Sequence, residues 1–206
     1  DTGLHFSNHH LCHALPTLFY TDWDDALLYT ADGGGDNVQY SMRAFRDGKI
    51  ETLFGGDDEL LATNRIDSLG MAYGFCTQAL GWKMNRHEGK LTGLAALGEP
   101  VHLDEMMRHF MVTDTGEILS DFTTYSAMKI FLFGLAERSS HEEMAASIQA
   151  LLEQTMLGSV RRMLQRSGAR HLGLAGGVFA NVRLNRLLAE KTDVDEVFVF
   201  PAMADD

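Results

Sequence analysis

The order in which elements follow one another constrains this chain more than any single motif. Three short strand-like runs come first, at 26–31, 37–45 and 49–54, the second with clear alternation of apolar and polar residues. Two turns separate them, Gly33-Gly34-Gly35 and Asp47-Gly48, and the second is a two-residue hairpin signal of the I′ kind. Helical periodicity then runs over 66–80, closed by Gly81, and from about 141 to 166, closed by Gly168. Ser139 or Ser140 is the expected N-cap of that long helix, with Glu142 and Glu143 on its first-turn dipole. A buried strand at 172–175, a Gly-Gly turn, a helix from about 179 to 191 and an apolar strand at 196–200 complete the order. A meander followed by strand-helix-strand crossovers predicts an α/β fold: a mixed five-stranded sheet with helices on both faces, since parallel neighbours need right-handed helical connections. Residues 1–25 carry a histidine-rich helix, 26–83 and 141–206 make the core, and 84–140 reads as an insertion with a short helix near 101–110 and a β-turn unit at 112–119.

Composition excludes several classes of partner. With 17 basic against 29 acidic residues the net charge is -12, the wrong sign for neutralising nucleic-acid phosphates or an anionic membrane surface. No apolar run approaches the ~20 residues that span a bilayer. Cys12 and Cys76 make neither a CxxC pair nor a disulfide framework, as expected of a cytoplasmic protein. The chain opens on Asp1 rather than methionine and stops at Asp206 straight after a strand-like run, so it reads as a segment of a larger protein that lacks flanking domains.

Four segments carry chemistry. In Asn8-His9-His10-Leu11-Cys12-His13-Ala14, His9 and His13 are four apart and share one face of a helix, where two imidazoles can grip a divalent cation. Asp205 or Asp206, in the loop after the last strand, is the candidate third ligand. In Asp32-Gly33-Gly34-Gly35-Asp36, glycine backbone can cradle phosphate oxygens while the flanking carboxylates hold water or Mg²⁺. In the run from Gly173 through Gly176, Gly177 and Val178 to Asn181, a buried strand ends in a turn whose missing side chains let a purine or ribose lie against the main chain. In the run from Arg86 through His87, Glu88 and Lys90 to Gly98, Arg86 or Lys90 can meet a bound anion, or the charges can form a solvated face.

The order of elements is that of the ribonuclease-H-like fold, the repeating half of actin-like ATPase domains. NHHLCHA at 8–14, DGGG at 32–35, SLGMAYGFCTQALGW at 68–82, HEGKLTGLAALG at 87–98, MAASIQALLE at 144–153 and GLAGGVFANVRLN at 173–185 together resemble the NodU/CmcH-type O-carbamoyltransferases. That resemblance implies transfer of a carbamoyl group from carbamoyl phosphate, through an ATP-derived carbamoyl-adenylate, to a hydroxyl of a small molecule or oligosaccharide. It implies ATP as co-substrate and a divalent metal, Fe²⁺ before Mg²⁺ or Mn²⁺, held by His9, His13 and Asp205. The phosphates would meet Asp32, Gly33, Gly34, Gly35 and Asp36. Adenosine would lie by Gly176, Gly177, Val178 and Asn181, with His10, Arg86 and Lys90 as catalytic candidates. Related threonylcarbamoyl-transfer and hydrogenase-maturation proteins share the histidine pair and the Gly-Gly turn, and a non-catalytic nucleotide-binding module is the reading from another class. The chain by itself is expected to be inactive.

Overall fold

The computed structural model describes residues 3–4, 7–57 and 66–203. Helix α1 (His9–Phe19) leads into the meander β1 (Asp25–Gly35), β2 (Val38–Arg46) and β3 (Lys49–Phe54). Helices α2 (Leu69–Ala79), α3 (Glu88–Leu94) and α4 (Leu103–Met107) follow, then the hairpin β4 (Phe110–Val112) and β5 (Ile118–Ser120). Helices α5 (Tyr125–Ala136) and α6 (His141–Ser167), strand β6 (His171–Ala175), a 3₁₀ turn at Gly177–Ala180, helix α7 (Val182–Lys191) and strand β7 (Glu196–Val199) complete the chain. The main sheet has the order β3-β2-β1-β6-β7, antiparallel on the β2 side of β1 and parallel on the β6 side. This is the mixed five-stranded sheet of a ribonuclease-H-like, actin-like half-domain. Among the described residues no helix is long and apolar enough to cross a membrane.

β1 is central, and its sequence shows why. Leu27, Tyr29 and Ala31 point into the main core with α2 and α6, while Ala26 and Leu28 pack with Ala14 of α1 on the opposite face, all of them at most 1% exposed. Helices therefore cover both faces. The long α6 begins in a capping box, Ser140 accepting from the Glu143 N–H and Glu143 from the Ser140 N–H, and ends at Gly168 with φ 65°. Ser140→Ala should cost about 1 kcal/mol in urea unfolding, the usual worth of such a cap, whereas Ser139→Ala should cost less because its hydroxyl only donates to the Leu135 carbonyl.

The meander differs from expectation at its first turn. Gly33-Gly34-Gly35 is not the turn; β1 runs through Gly35, which pairs with Val38, and the two turn residues are Asp36 and Asn37 at φ 52° and 60°. Asp and Asn tolerate the left-handed region that a type I′ turn needs at both positions, so they took the turn and left the glycines for another use. The last helix is also split: Asn181 interrupts it and caps α7, its side chain accepting from the Leu184 N–H at 3.0 Å. Within 84–140, α4 and the β4–β5 hairpin lie where the sequence marked them, and α3 and α5 are additional. Leu91, Met106, Phe110, Ile118, Met128 and Leu132 are buried in the same cluster as β1 and α6, so this stretch is continuous with the core.

Candidate functional site

Three anchors set the rotation of α1. Asn8 caps it by accepting from the Leu11 N–H at 2.9 Å, and that side chain is itself held by Arg43 at 3.3 Å and Asp57 at 2.9 Å. The Asp36 carboxylate accepts from the His9 N–H at 2.7 Å, so Asp36 serves the helix start. His10 is fully buried between the first two strands, Nε2 2.9 Å from the Val38 carbonyl and Nδ1 2.7 Å from Thr30 Oγ1. A carbonyl can only accept, so Nε2 carries a proton, while the Thr30 hydroxyl beside Nδ1 donates to Ser41 Oγ at 2.9 Å. Burial, outweighing the Val38 hydrogen bond, lowers the His10 pKa from 6.5 to about 4. The expected catalytic role of His10 meets a side chain withdrawn from the cleft, with both nitrogens engaged in the fold.

With the helix so held, His9 and His13 stack edge to face, 4.7 Å between ring centroids, one turn apart. The Asp32 carboxylate faces both, Oδ2 lying 3.3 Å from His13 Nε2 and 3.6 Å from His9 Nε2. One ligand atom from each residue lies within 4.8 Å of the other two. Burial pushes the Asp32 carboxyl up, but the hydrogen bond from His13, the Gly33 N–H at 2.6 Å and the nearby histidine charges outweigh it and hold the pKa below the usual value. Asp32, assigned from sequence to a phosphate turn, is thus the carboxylate beside the histidines. Asp205, the expected third ligand, lies outside the described residues. Gly35 explains the third glycine: a Cβ there would fall on the His9 ring.

Asp32 also lines a cleft of about 670 Å³, a volume suited to a nucleotide-sized ligand. Its floor is the end of β1 at Asp32, Gly33 and Gly34. Gly177, Val178 and Asn181 form one wall. Gly176 makes the turn at φ 97°, and a Cβ on Gly177 would sit 3.0 Å from Asp32 Oδ1, so this turn closes directly on the carboxylate. The α2 and α3 side of the cleft carries Tyr73, Arg86, Glu88 and Thr92. Lys90 is exposed, lies outside the cleft lining and stands over the Trp82 ring at 6.0 Å. Arg86 lines the cleft and forms no hydrogen bond or ion pair among the described residues. Asn181 is engaged within the fold: its Nδ2 donates to Gln149 Oε1 at 2.8 Å and its Oδ1 accepts from Gln149 Nε2 at 3.1 Å. Tyr73 donates to the same Gln149 oxygen at 2.8 Å and is 2.8 Å from the Thr92 hydroxyl. The sequence reading passed over this network. Its signal was Gln149, a polar residue on the α6 stripe otherwise filled by Ala145, Ile148, Leu152 and Met156.

Fold and cleft together define an α/β half-domain whose nucleotide-sized cleft has a two-histidine, one-carboxylate cluster at its floor. The chain belongs to the carbamoyltransferase N-terminus family, whose model matches residues 2–206. It is similar to an uncharacterized protein of Methanocaldococcus jannaschii, 28% identical over 96% of this chain and 35% of that protein. It is also similar to nodulation protein NolNO of Sinorhizobium fredii, 31% identical over 97% of this chain and 29% of that protein. Nodulation protein NolO of Bradyrhizobium diazoefficiens is 28% identical over 96% of this chain and 36% of its own length. The chain therefore spans about a third of the length of these relatives.

Proposed function

We infer that this chain binds ATP and a divalent cation within an O-carbamoyltransferase, which takes a carbamoyl group from carbamoyl phosphate, activates it as a carbamoyl-adenylate and passes it to a hydroxyl of a small molecule or oligosaccharide. The observation that carries the reading is the position of Asp32, one carboxylate shared by the histidine cluster and the cleft floor. Family membership supports the carbamoyl chemistry.

The cluster suits a catalytic metal. Two imidazoles and a carboxylate within 4.8 Å make a three-ligand set that leaves positions open, and this donor set is the one associated with iron(II). When bound, the cation supplies Lewis-acid polarisation and neutralises phosphate or carbamoyl oxygen charge. The protein's own contribution is preorganisation. Asn8, Asp36 and His10 fix α1 so that His9 and His13 stand side by side without further ordering, and Asp32 stays ionised because its neighbours favour the charged form. Backbone at Gly33 and Gly34 offers room for phosphate oxygens, the main chain at Gly177 admits a flat base, and Arg86 brings a positive charge to the cleft.

Water first cleaves carbamoyl phosphate to carbamate and orthophosphate, and a carbamate oxygen then attacks the α-phosphorus of ATP and displaces pyrophosphate, so both phosphate products appear before any acceptor is needed. The intact protein with iron(II) should therefore release pyrophosphate from ATP only when carbamoyl phosphate is present. Pyrophosphate release that ignores carbamoyl phosphate, or none with both present, overturns the reading.

A further inference from the structure

We propose that the outer face of α5 is an interface between two copies of the protein, which pack α5 antiparallel on α5 about a two-fold axis at Phe133.

The inner side of α5 is that of an ordinary surface helix. Met128, Leu132 and Leu135 are buried in the core, and the helix lies against α2, with Tyr125 edge-on to Phe75 at 6.3 Å. Its outer side departs from that pattern. Ile130 is 74% exposed, Phe131 and Phe133 are only half-buried, and Gly134 is open, with nothing within 4 Å of where a Cβ would stand. Residues 122–136 carry one charge, Lys129, and no carboxylate, in a chain of net charge -12. A helix that is apolar all round is covered all round in a finished protein. No residue of α5 lines the cleft, so this face is separate from the candidate nucleotide site.

Charge and shape name the occupant. Arg138 is already paired with Glu105 at 2.6 Å, but neither Lys129 nor Glu137 makes an ion pair among the described residues. The Lys129 ammonium stands over the Phe133 and Phe75 rings instead, at 5.2 and 5.9 Å. Lys129 and Glu137 are each four residues from Phe133, on opposite sides of it and ~12 Å apart along the helix. A two-fold axis at Phe133, perpendicular to the helix, brings each Lys129 level with Glu137 of the other copy. The same operation sets Phe133 against its own counterpart and each Ile130 beside Gly134 of the other copy, a protruding side chain next to an empty position. One symmetry element thus meets a cation, an anion, a protrusion and a hollow that all belong to a single helix, as an isologous interface requires. The acidic surface elsewhere repels a second copy, and the carboxylate-free stretch is where one can approach.

Sedimentation velocity of the intact protein, from about 0.1 to 100 µM, should show a reversible monomer–dimer equilibrium with a dissociation constant on the order of micromolar, since one helix from each copy makes a small interface. Lys129→Glu turns two attractive pairs into two repulsive ones and should raise that constant about tenfold, and Glu137→Lys should do the same. The double variant K129E/E137K exchanges the charges and should return to within about threefold of the unaltered protein. Ile130→Glu should leave only monomer. Unchanged melting temperatures verify that each variant is folded. A protein that is monomeric throughout overturns the proposal, and hydroxyl-radical footprinting that then finds Ile130 and Phe133 shielded would make another segment of the same polypeptide the occupant. A dimer indifferent to all three single substitutions, or one weakened by the charge reversals that the double variant fails to restore, overturns it equally.

Discussion

Asp32→Asn should leave the intact protein with a divalent-metal affinity lowered on the order of a hundredfold or more, since even the loss of an outer-shell partner to a metal ligand costs 10–100-fold. Asparagine keeps an oxygen for the Gly33 N–H at the same size, so the end of β1 should hold its shape while the charge between His9 and His13 disappears. His9→Ala and His13→Ala should match it in metal content measured by elemental analysis after dialysis. Asp36→Asn is the control: its carboxylate meets the α1 N-terminus, so that variant should keep its metal. Asp205→Asn decides between two ligand sets. Retained metal in Asp32→Asn together with loss in Asp205→Asn would assign the third position to Asp205, while loss in both would give four protein ligands.

His10→Ala should be the most destabilising histidine substitution, by about 3–5 kcal/mol from urea unfolding. The ring fills a fully buried site between α1, β1 and β2, and its removal leaves a cavity with the Val38 carbonyl and the Thr30 hydroxyl deprived of partners. Part of that hydroxyl's need is met by Ser41, whose Oγ lies 2.9 Å away, which keeps the cost within this range. His9→Ala, partly exposed at the cluster, should cost much less. A loss below about 1 kcal/mol in His10→Ala would show that the ring is not a structural plug.

The sheet was legible because its signals are local. β3 occupies the predicted 49–54 residue for residue, and α6 starts at His141 and stops before Gly168, since alternation, capping and a left-handed glycine are each written in a few neighbouring residues. The first turn misled because three consecutive glycines outweigh Asp-Asn as a turn signal, and only the tertiary approach of His9 to Gly35 shows what the last glycine is for. The histidine pair was readable from its i, i+4 spacing, whereas the carboxylate it faces comes from a different element. Asp32 is separated from His13 by a loop and most of β1, and nothing in the spacing says that the strand's end returns to the helix. His10 belongs to the same run as its neighbours, yet its rotation about α1 turns it into the sheet. Gln149 was invisible as a site residue because its hydrogen bonds run from α6 to Tyr73 on α2 and to Asn181 before α7.

The two edges of β1 differ in when they can be satisfied. Leu27 pairs with Ala44 inside the meander, but its other neighbour is Leu172, from a strand made only after the whole helical stretch has been synthesised. Parallel pairing at such separation is slow, because the loop-closure entropy comes before any contact rewards it. Until β6 arrives, the nascent chain holds a hairpin whose most apolar strand presents an open edge, the state in which sheet proteins mispair with one another. The cleft wall at Gly177, which follows the end of β6, is consequently among the last parts of the molecule to assemble, and until it closes on Asp32 the end of β1 stands open.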